Sequence, residues 1–273
     1  MAIITISREL AALGDETAHE LAKSLNYRFV DKKVLEDRIK SYGLSDDKIK
    51  KFDERKPSFF SAFSHGRDDY LHYLKSATLT EAEHGNCVFI GRGANNVLGN
   101  VPAVVSIFLA APGDIRIERV KSYFHCDEKR ARQIIERSDQ DRMGFHRYFF
   151  DVDWKEPGNY SLALNTGILS PAICSSLVRQ LIENTISPET EDKHSRRLKE
   201  LILGQQVKHH IIYDKEIPIH FLEAMASCDS ITLYGVAQSQ ALVEAAVNAA
   251  RDISGSAQVS SDIQVVQEYS IIA

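Results

Sequence analysis

The stretch IITISRELAALGDETAHELA, residues 3–22, decides how this chain folds. It reads as a short β-branched strand, a loop whose one glycine is Gly14, and an amphipathic helix over residues 17–25. Strand, loop and helix in that order build a phosphate cradle: backbone N–H groups and the positive end of a helix surround the oxygens, and a lysine neutralises them. Here Ala11, Ala12 and Leu13 stand where glycines are expected, and no lysine follows. A helix N-terminus alone carries about half a charge, so Ser7, Arg8, Gly14, Asp15, Glu16 and Thr17 are candidate contacts for an anion. A plain strand-to-helix turn is the competing reading.

Working outward, strand-like runs at 87–90 and 104–109 alternate with helical patterns at 70–84 and 114–123. That alternation predicts an α/β unit, a parallel sheet covered by helices on both faces. An arginine-rich helix over 128–145, the turn-rich stretch DVDWKEPGNY, a short strand at 161–165 and a helix over 171–183 complete it. Residues 41–67 read as a charged helix followed by an aromatic, serine-rich flap. SPETEDKHS, polar and containing a proline, reads as an exposed linker. The expected division is therefore 1–186 for the α/β domain, 187–194 for the linker and 195–273 for a second domain. In the latter, a helix over 195–208, strands at 217–223 and 230–235, a helix over 240–253 and a strand at 258–267 are predicted. Ile231 and Leu233 alternate with Thr232 and Tyr234, the pattern of half-buried antiparallel strands under one helical layer, hence a small α+β domain.

Charge and cysteine usage narrow the function classes. A formal net charge of −5 over 273 residues argues against a general nucleic-acid binder, whose footprint is strongly basic. Cys87, Cys126, Cys174 and Cys228 lie far apart with no metal-ligand spacing, and read as reduced thiols. His209 and His210 have no further ligands beside them, so no metal site is predicted. No stretch approaches the roughly 18 apolar residues of a membrane span, and a cytoplasmic location is the expectation.

Two further elements carry candidate chemistry. GRGANNV, residues 91–97, follows the strand CVFI directly, which puts Arg92 and Gly93 at the carboxyl end of a parallel strand, where open α/β sheets bind ligands. An arginine there can grip a phosphate bidentately, or it sits on a surface turn. The second element holds Arg116, Arg119, Arg130, Arg132, Arg137, Arg142 and Arg147, interleaved with Asp139 and Asp141. Some of these would pair with glutamates along a solvated helix. The surplus suits phosphoryl transfer, in which catalysis is mostly positioning and electrostatic clamping. Tyr148, Phe149, Phe150 and Trp154 read as hinge or core packing.

The ordered blocks ITISREL and GDETAHELAKSLNYRFVDKKVLE, FDERKPSFF, GNCVFIGRGANNVL, IFLAAPGDIRIERV, IERSDQDRMGFHRYFFDVDW and LALNTGILS resemble the cytidylate kinase-like proteins over residues 1 to about 184. The resemblance implies a P-loop NTPase-like fold, with ATP and magnesium as cofactors and a nucleotide or other phosphorylated small molecule as partner. It implies that Arg92 contacts a nucleoside monophosphate, that Arg116 and Arg119 begin the lid helix, and that Arg137, Asp141 and Arg142 close over both nucleotides together with Arg147. NTGILS matches the segment near the adenine pocket. Where relatives carry GSGG this chain has Ala11, Ala12, Leu13 and Gly14, and Asp15 stands where ordinary P-loops have a magnesium-binding hydroxyl. Gly93 replaces the aspartate of true cytidylate kinases. Residues 230–266, SITLYGVAQSQALVEAAVNAARDISGSAQVSSDIQVV, are similar to a BON domain, a module associated with lipid, solute or protein contacts and here a candidate for self-association. Two functions follow: phosphoryl transfer from ATP to a pyrimidine nucleoside monophosphate, or a catalytically inactive phospho-ligand sensor acting through the BON-like domain.

Overall fold

The computed structural model describes residues 2–51 and 66–266, and these form two compact units, Met1–Asp192 and Lys193–Ala273. The flap expected over residues 57–67 lies mostly outside the described residues. In the first unit, strands β1 (Ile3–Arg8), β2 (Arg28–Val30), β3 (Cys87–Ile90), β4 (Val104–Ala110) and β5 (Leu162–Asn165) form one sheet in the order β2-β3-β1-β4-β5. Every pairing is parallel. β1 lies in the middle, and Ile3, Ile4 and Ile6 are all but fully buried. A strand buried on both faces needs apolar residues at consecutive positions, and this is what its β-branched run supplies.

Helices cover the sheet: α1 (Gly14–Leu25), α2 (Lys32–Ser41), α3 (Asp46–Lys51), α4 (Gly66–Glu83), α5 (Ala94–Leu98), α6 (Gly113–Phe124), α7 (Glu128–Phe150) and α8 (Pro171–Thr185). Leu21 and Ala22 of α1 and Cys174 and Val178 of α8 pack on Ile4, Ile6, Val88, Ile107 and Leu109 to make the main core. α7 starts where the Asp127 carboxylate accepts from the Arg130 amide, and α8 where the Ser170 hydroxyl accepts from Ile173. From β1 the sheet grows to β3 and β2 on one side and to β4 and β5 on the other. The connections leaving β1 and its neighbours therefore diverge above its carboxyl end, and a crevice opens there.

The second unit holds the end of α9 (Pro188–His209), a single π turn (His210–Asp214), β6 (His220–Ala226), β7 (Ser230–Ala237), α10 (Gln240–Ile253) and β8 (Gln258–Val265). Its own core joins Val207 and Ile211 to Leu222, Ile231, Leu233, Val243, Ala246, Ala250 and Ile263. Two expectations change here. Residues 188–194, read as an exposed linker, are the first turns of α9, whose acidic start at Glu189 and Glu191 favours the helix dipole. The strands, read as antiparallel, form a mixed sheet: β6 and β7 are antiparallel, but β8 lies parallel to β7 because α10 carries the chain back across the sheet before β8 begins.

The cysteines are free, with Cys87 and Cys174 buried. Burial pushes the Cys87 thiol up to about 12, so it stays protonated and is no nucleophile. No helix among the described residues is long and apolar enough to cross a membrane.

A buried ion cluster fastens one flank of the sheet. Glu81 of α4, 1% exposed, accepts from Arg28 of β2 and from Arg38 Nε of α2 at 2.7 Å. Burial pushes its carboxyl up, but the hydrogen bonds from Arg38 and Arg28 outweigh that and hold it below the ordinary carboxylate range. A lowered pKa contributes stability that is present above the unfolded value, about 4.3, and is lost as pH falls through the folded one. Glu81→Gln is expected to lower unfolding free energy at pH 7 by about 1–2 kcal/mol, both arginines being partly solvated. The gap between variant and wild type should close below about pH 4, as read from denaturant unfolding across pH.

Candidate functional site

The loop from Glu9 to Leu13 keeps the course of a phosphate cradle without its glycines. Ala11 and Leu13 take positive φ, 60° and 53°, a conformation glycine adopts freely and other residues hold at about 1–2 kcal/mol each. The loop tolerates this because its side chains are anchored. Ala12 is fully buried, and Leu10 and Ala11 pack on Ile117, Val120, Ala131 and Ile135 of α6 and α7. No side chain caps α1, and Asp15 and Glu16 in its first turn are exposed. Thr17 is buried, its hydroxyl spent on the Leu13 carbonyl at 2.7 Å. Arg8 runs its methylenes against Gly14, where a Cβ would collide with them.

A charged lattice ties this loop down. Arg116, 5% exposed, donates from Nε to the Leu10 carbonyl at 2.7 Å and from Nη2 to Asp139 at 2.7 Å, with Glu9 at 3.2 Å from Nη1. Lys155 reaches Glu9 at 2.6 Å and Asp139 at 3.4 Å. Asp139 also accepts from the Leu10 amide, and Glu9 from the Ala111 amide, both at 3.3 Å. Arg119 bridges the Ala11 carbonyl at 2.9 Å and the Thr166 carbonyl at 2.7 Å, joining the loop to the NTGILS segment. Arg116 and Arg119 thus spend their donors on the protein itself.

Beside the loop, Ser7, Arg8, Gly91, Arg92, Arg142, Phe145, His146 and Trp154 line one small, narrow cleft. It lies at the carboxyl ends of β1 and β3. Gly91, Arg92 and Gly93 all hold positive φ, 77°, 55° and 65°, which turns the Arg92 side chain back under α7. There it is 1% exposed, pairs with Glu36 of α2 at 2.6 Å and lies 6.0 Å from the Phe145 ring centroid. Arg142 donates to Ser138 at 2.7 Å and stands 3.9 Å from Asp139. Ser7 is hydrogen-bonded to Asn95 at 3.5 Å, and Asn96 to His146 Nδ1 at 3.1 Å.

Of the residues singled out from sequence, then, Ser7, Arg8, Arg92 and Arg142 come together around one cleft. Gly93 supports it, since a Cβ there would strike the Phe150 ring. Asp141 is half-buried on α7. Arg137 and Arg147 are exposed on the same helix and make no ion pair with a described residue, while Arg132 pairs with Glu128 one turn away as a solvated helix face does. The sequence reading passed over Lys155, Glu9, Glu36 and His146, and set Trp154 aside as core. The one signal for Lys155 was a lysine beside a tryptophan in an otherwise polar turn.

The fold has counterparts among known proteins. The cytidylate kinase-like family model matches residues 3–168, and the BON domain model matches residues 200–267. No curated protein matches the chain. Among solved structures, an uncharacterized protein from Eubacterium ventriosum is 20% identical with a TM-score of 0.55, covering 67% of this chain and 99% of that one. Shikimate kinase from Bacteroides thetaiotaomicron is 13% identical with a TM-score of 0.40, covering 67% and 98%.

Gly93→Ala is expected to cost about 2 kcal/mol or more, because the new Cβ meets an aromatic ring and a left-handed backbone at once. Ala11→Gly, which relieves strain of the same backbone kind, is expected to leave stability unchanged or raise it by up to about 1 kcal/mol. Paired denaturant curves measure both.

Proposed function

This chain belongs to the cytidylate kinase-like family, and on that premise we propose that its first unit binds a nucleoside monophosphate by its phosphate in the arginine-lined cleft and receives a phosphoryl group for it from ATP. One observation carries the reading: Arg8, Arg92, Arg142 and Ser7 line a single cleft at the carboxyl end of the central strand. Guanidinium groups hold phosphate oxygens through paired, charge-assisted hydrogen bonds, and in a partly closed cleft these are stronger than in water. Arg92 and Arg142 would grip the acceptor phosphate, with the Ser7 hydroxyl as a further donor.

The donor nucleotide fits in outline. The first turn of α1 has no side-chain cap, and the left-handed backbone at Ala11 and Leu13 keeps the loop wrapped as a glycine loop would be. Lys155, whose ammonium stands 2.6 Å from Glu9, is the cation nearest to the role of the missing loop lysine. ATP, when bound, would supply the phosphoryl group, with its phosphates held by backbone amides at the start of α1. Magnesium finds no donor set of its own: the Thr17 hydroxyl is engaged, and the described residues hold no cluster of three or more metal-binding side chains.

A second reading, ligand binding without transfer, is favoured by the way Arg116, Arg119 and Lys155 are engaged with Glu9, Asp139 and main-chain carbonyls rather than turned to a ligand. In that case the BON-like unit is where the sensor would meet a lipid, a protein or a second copy of itself. Calorimetry and a coupled assay separate the two. CMP, UMP, dCMP, AMP and GMP are titrated, then offered with ATP and magnesium. Binding with turnover supports the first reading, binding without turnover the second, and no binding by any of the five removes both. Arg142→Ala is expected to weaken the best ligand at least about tenfold, or roughly 1.4 kcal/mol, while the protein stays folded.

A further inference from the structure

The tryptophan at the edge of the cleft carries an unspent donor. Trp154 is 1% exposed, and its indole Nε1 is buried without a hydrogen-bond partner among the described residues. A buried N–H left unmade costs about 1–3 kcal/mol, and more than about nine in ten such groups are satisfied in folded proteins. The surroundings explain why none of its neighbours accepts. Phe108 meets the indole edge to face with centroids 5.6 Å apart, His146 lies nearly parallel to it at 6.2 Å, and the Lys155 ammonium sits 5.5 Å from the ring centroid. The cleft beyond is lined by arginines and a serine, a set of donors.

The turn is also held firmly in this position. Tyr160 donates its hydroxyl to the Trp154 carbonyl at 2.6 Å and stacks on Phe108 at 5.2 Å, so the ring is fixed from behind by β4. A buried donor with no acceptor among the described residues, on a side chain that lines a cleft with three arginines and a serine, suits a compact oxyanion. The lining carries three kinds of donor: guanidinium groups, a hydroxyl and an indole.

From this we infer that Trp154 is a ligand-binding residue, donating its indole N–H to an oxygen of the phosphate monoester that Arg92 and Arg142 hold. The inference rests on the reading of the cleft as an acceptor-phosphate site and extends it to a residue that sequence alone assigns to the core. Nε1 is shut off from solvent in this structure, so the ligand reaches it only when the Trp154 turn shifts outward.

The chain contains one tryptophan, which makes the test direct. The indole N–H proton resonance and the intrinsic fluorescence of the full-length protein are followed during titration with CMP and with inorganic phosphate, and sodium chloride is matched for ionic strength. Calorimetry on the same samples measures affinity independently. The expected result is a saturable downfield shift of the single indole resonance with the midpoint found by calorimetry, and about tenfold weaker binding by Trp154→Phe, which keeps an aromatic ring and loses the N–H. If CMP or phosphate binds while the indole resonance stays in place, or if Trp154→Phe binds within twofold of wild type, this inference is overturned and the acceptor-site reading stands. If phosphate and all five nucleotides, CMP, UMP, dCMP, AMP and GMP, fail to bind the wild type, both fall together. Should Trp154→Phe fail to fold, the resonance of the wild-type protein decides alone.

Discussion

The guanidinium of Arg116 is the constraint on which the first unit turns. It is buried, and it joins the Leu10 carbonyl, Glu9 and Asp139, so that β1, the loop after it, α6 and α7 meet at one point. An arginine buried with its partners in place is tolerated, whereas removing one partner leaves a charge stranded out of water. The loop consequently holds its left-handed turns without glycine: anchoring by Arg116, Arg119 and the apolar contacts of Leu10 and Ala11 offsets the strain. Without that anchoring, Ala11 and Leu13 would relax towards ordinary turn geometry.

Charges are managed at two neighbouring places in this unit. Around the loop, cations and carboxylates are matched, with Glu9 and Asp139 set against Arg116 and Lys155. Around the cleft, Arg92 pairs with Glu36 of α2 and Arg142 stands near Asp139, with Arg8 beside them along the lining.

Much of the fold was legible from sequence because its signals are local. β1, β3 and β4 are short apolar runs, and α10 begins and ends where its amphipathic pattern does. β2 escaped notice because three residues, only one of them buried, leave no period to detect. The direction of β8 was misread because alternation reports which face is buried, whereas direction is set by the helix that precedes the strand. The helix beginning at Pro188 went unread because a polar, proline-led segment is also a good helix start. In the site, Arg92 and Arg142 stood out by neighbouring glycines and by charge density. Lys155 and Glu9 did not, for they are 146 positions apart in the chain and acquire meaning only when folded together. Trp154 was assigned to the core correctly as far as its ring goes. The idle N–H is a property of its surroundings, which no sequence pattern encodes.

One consequence of the apolar seam between the loop and the α6–α7 pair concerns motion. Leu10 and Ala11 are seated in the same cluster as Ile117, Val120, Ala131 and Ile135, so those two helices cannot swing away as a free flap over a rigid cradle. Any outward excursion would peel hydrophobic surface into water and drag the cradle with it, which couples gate and floor into a single lever.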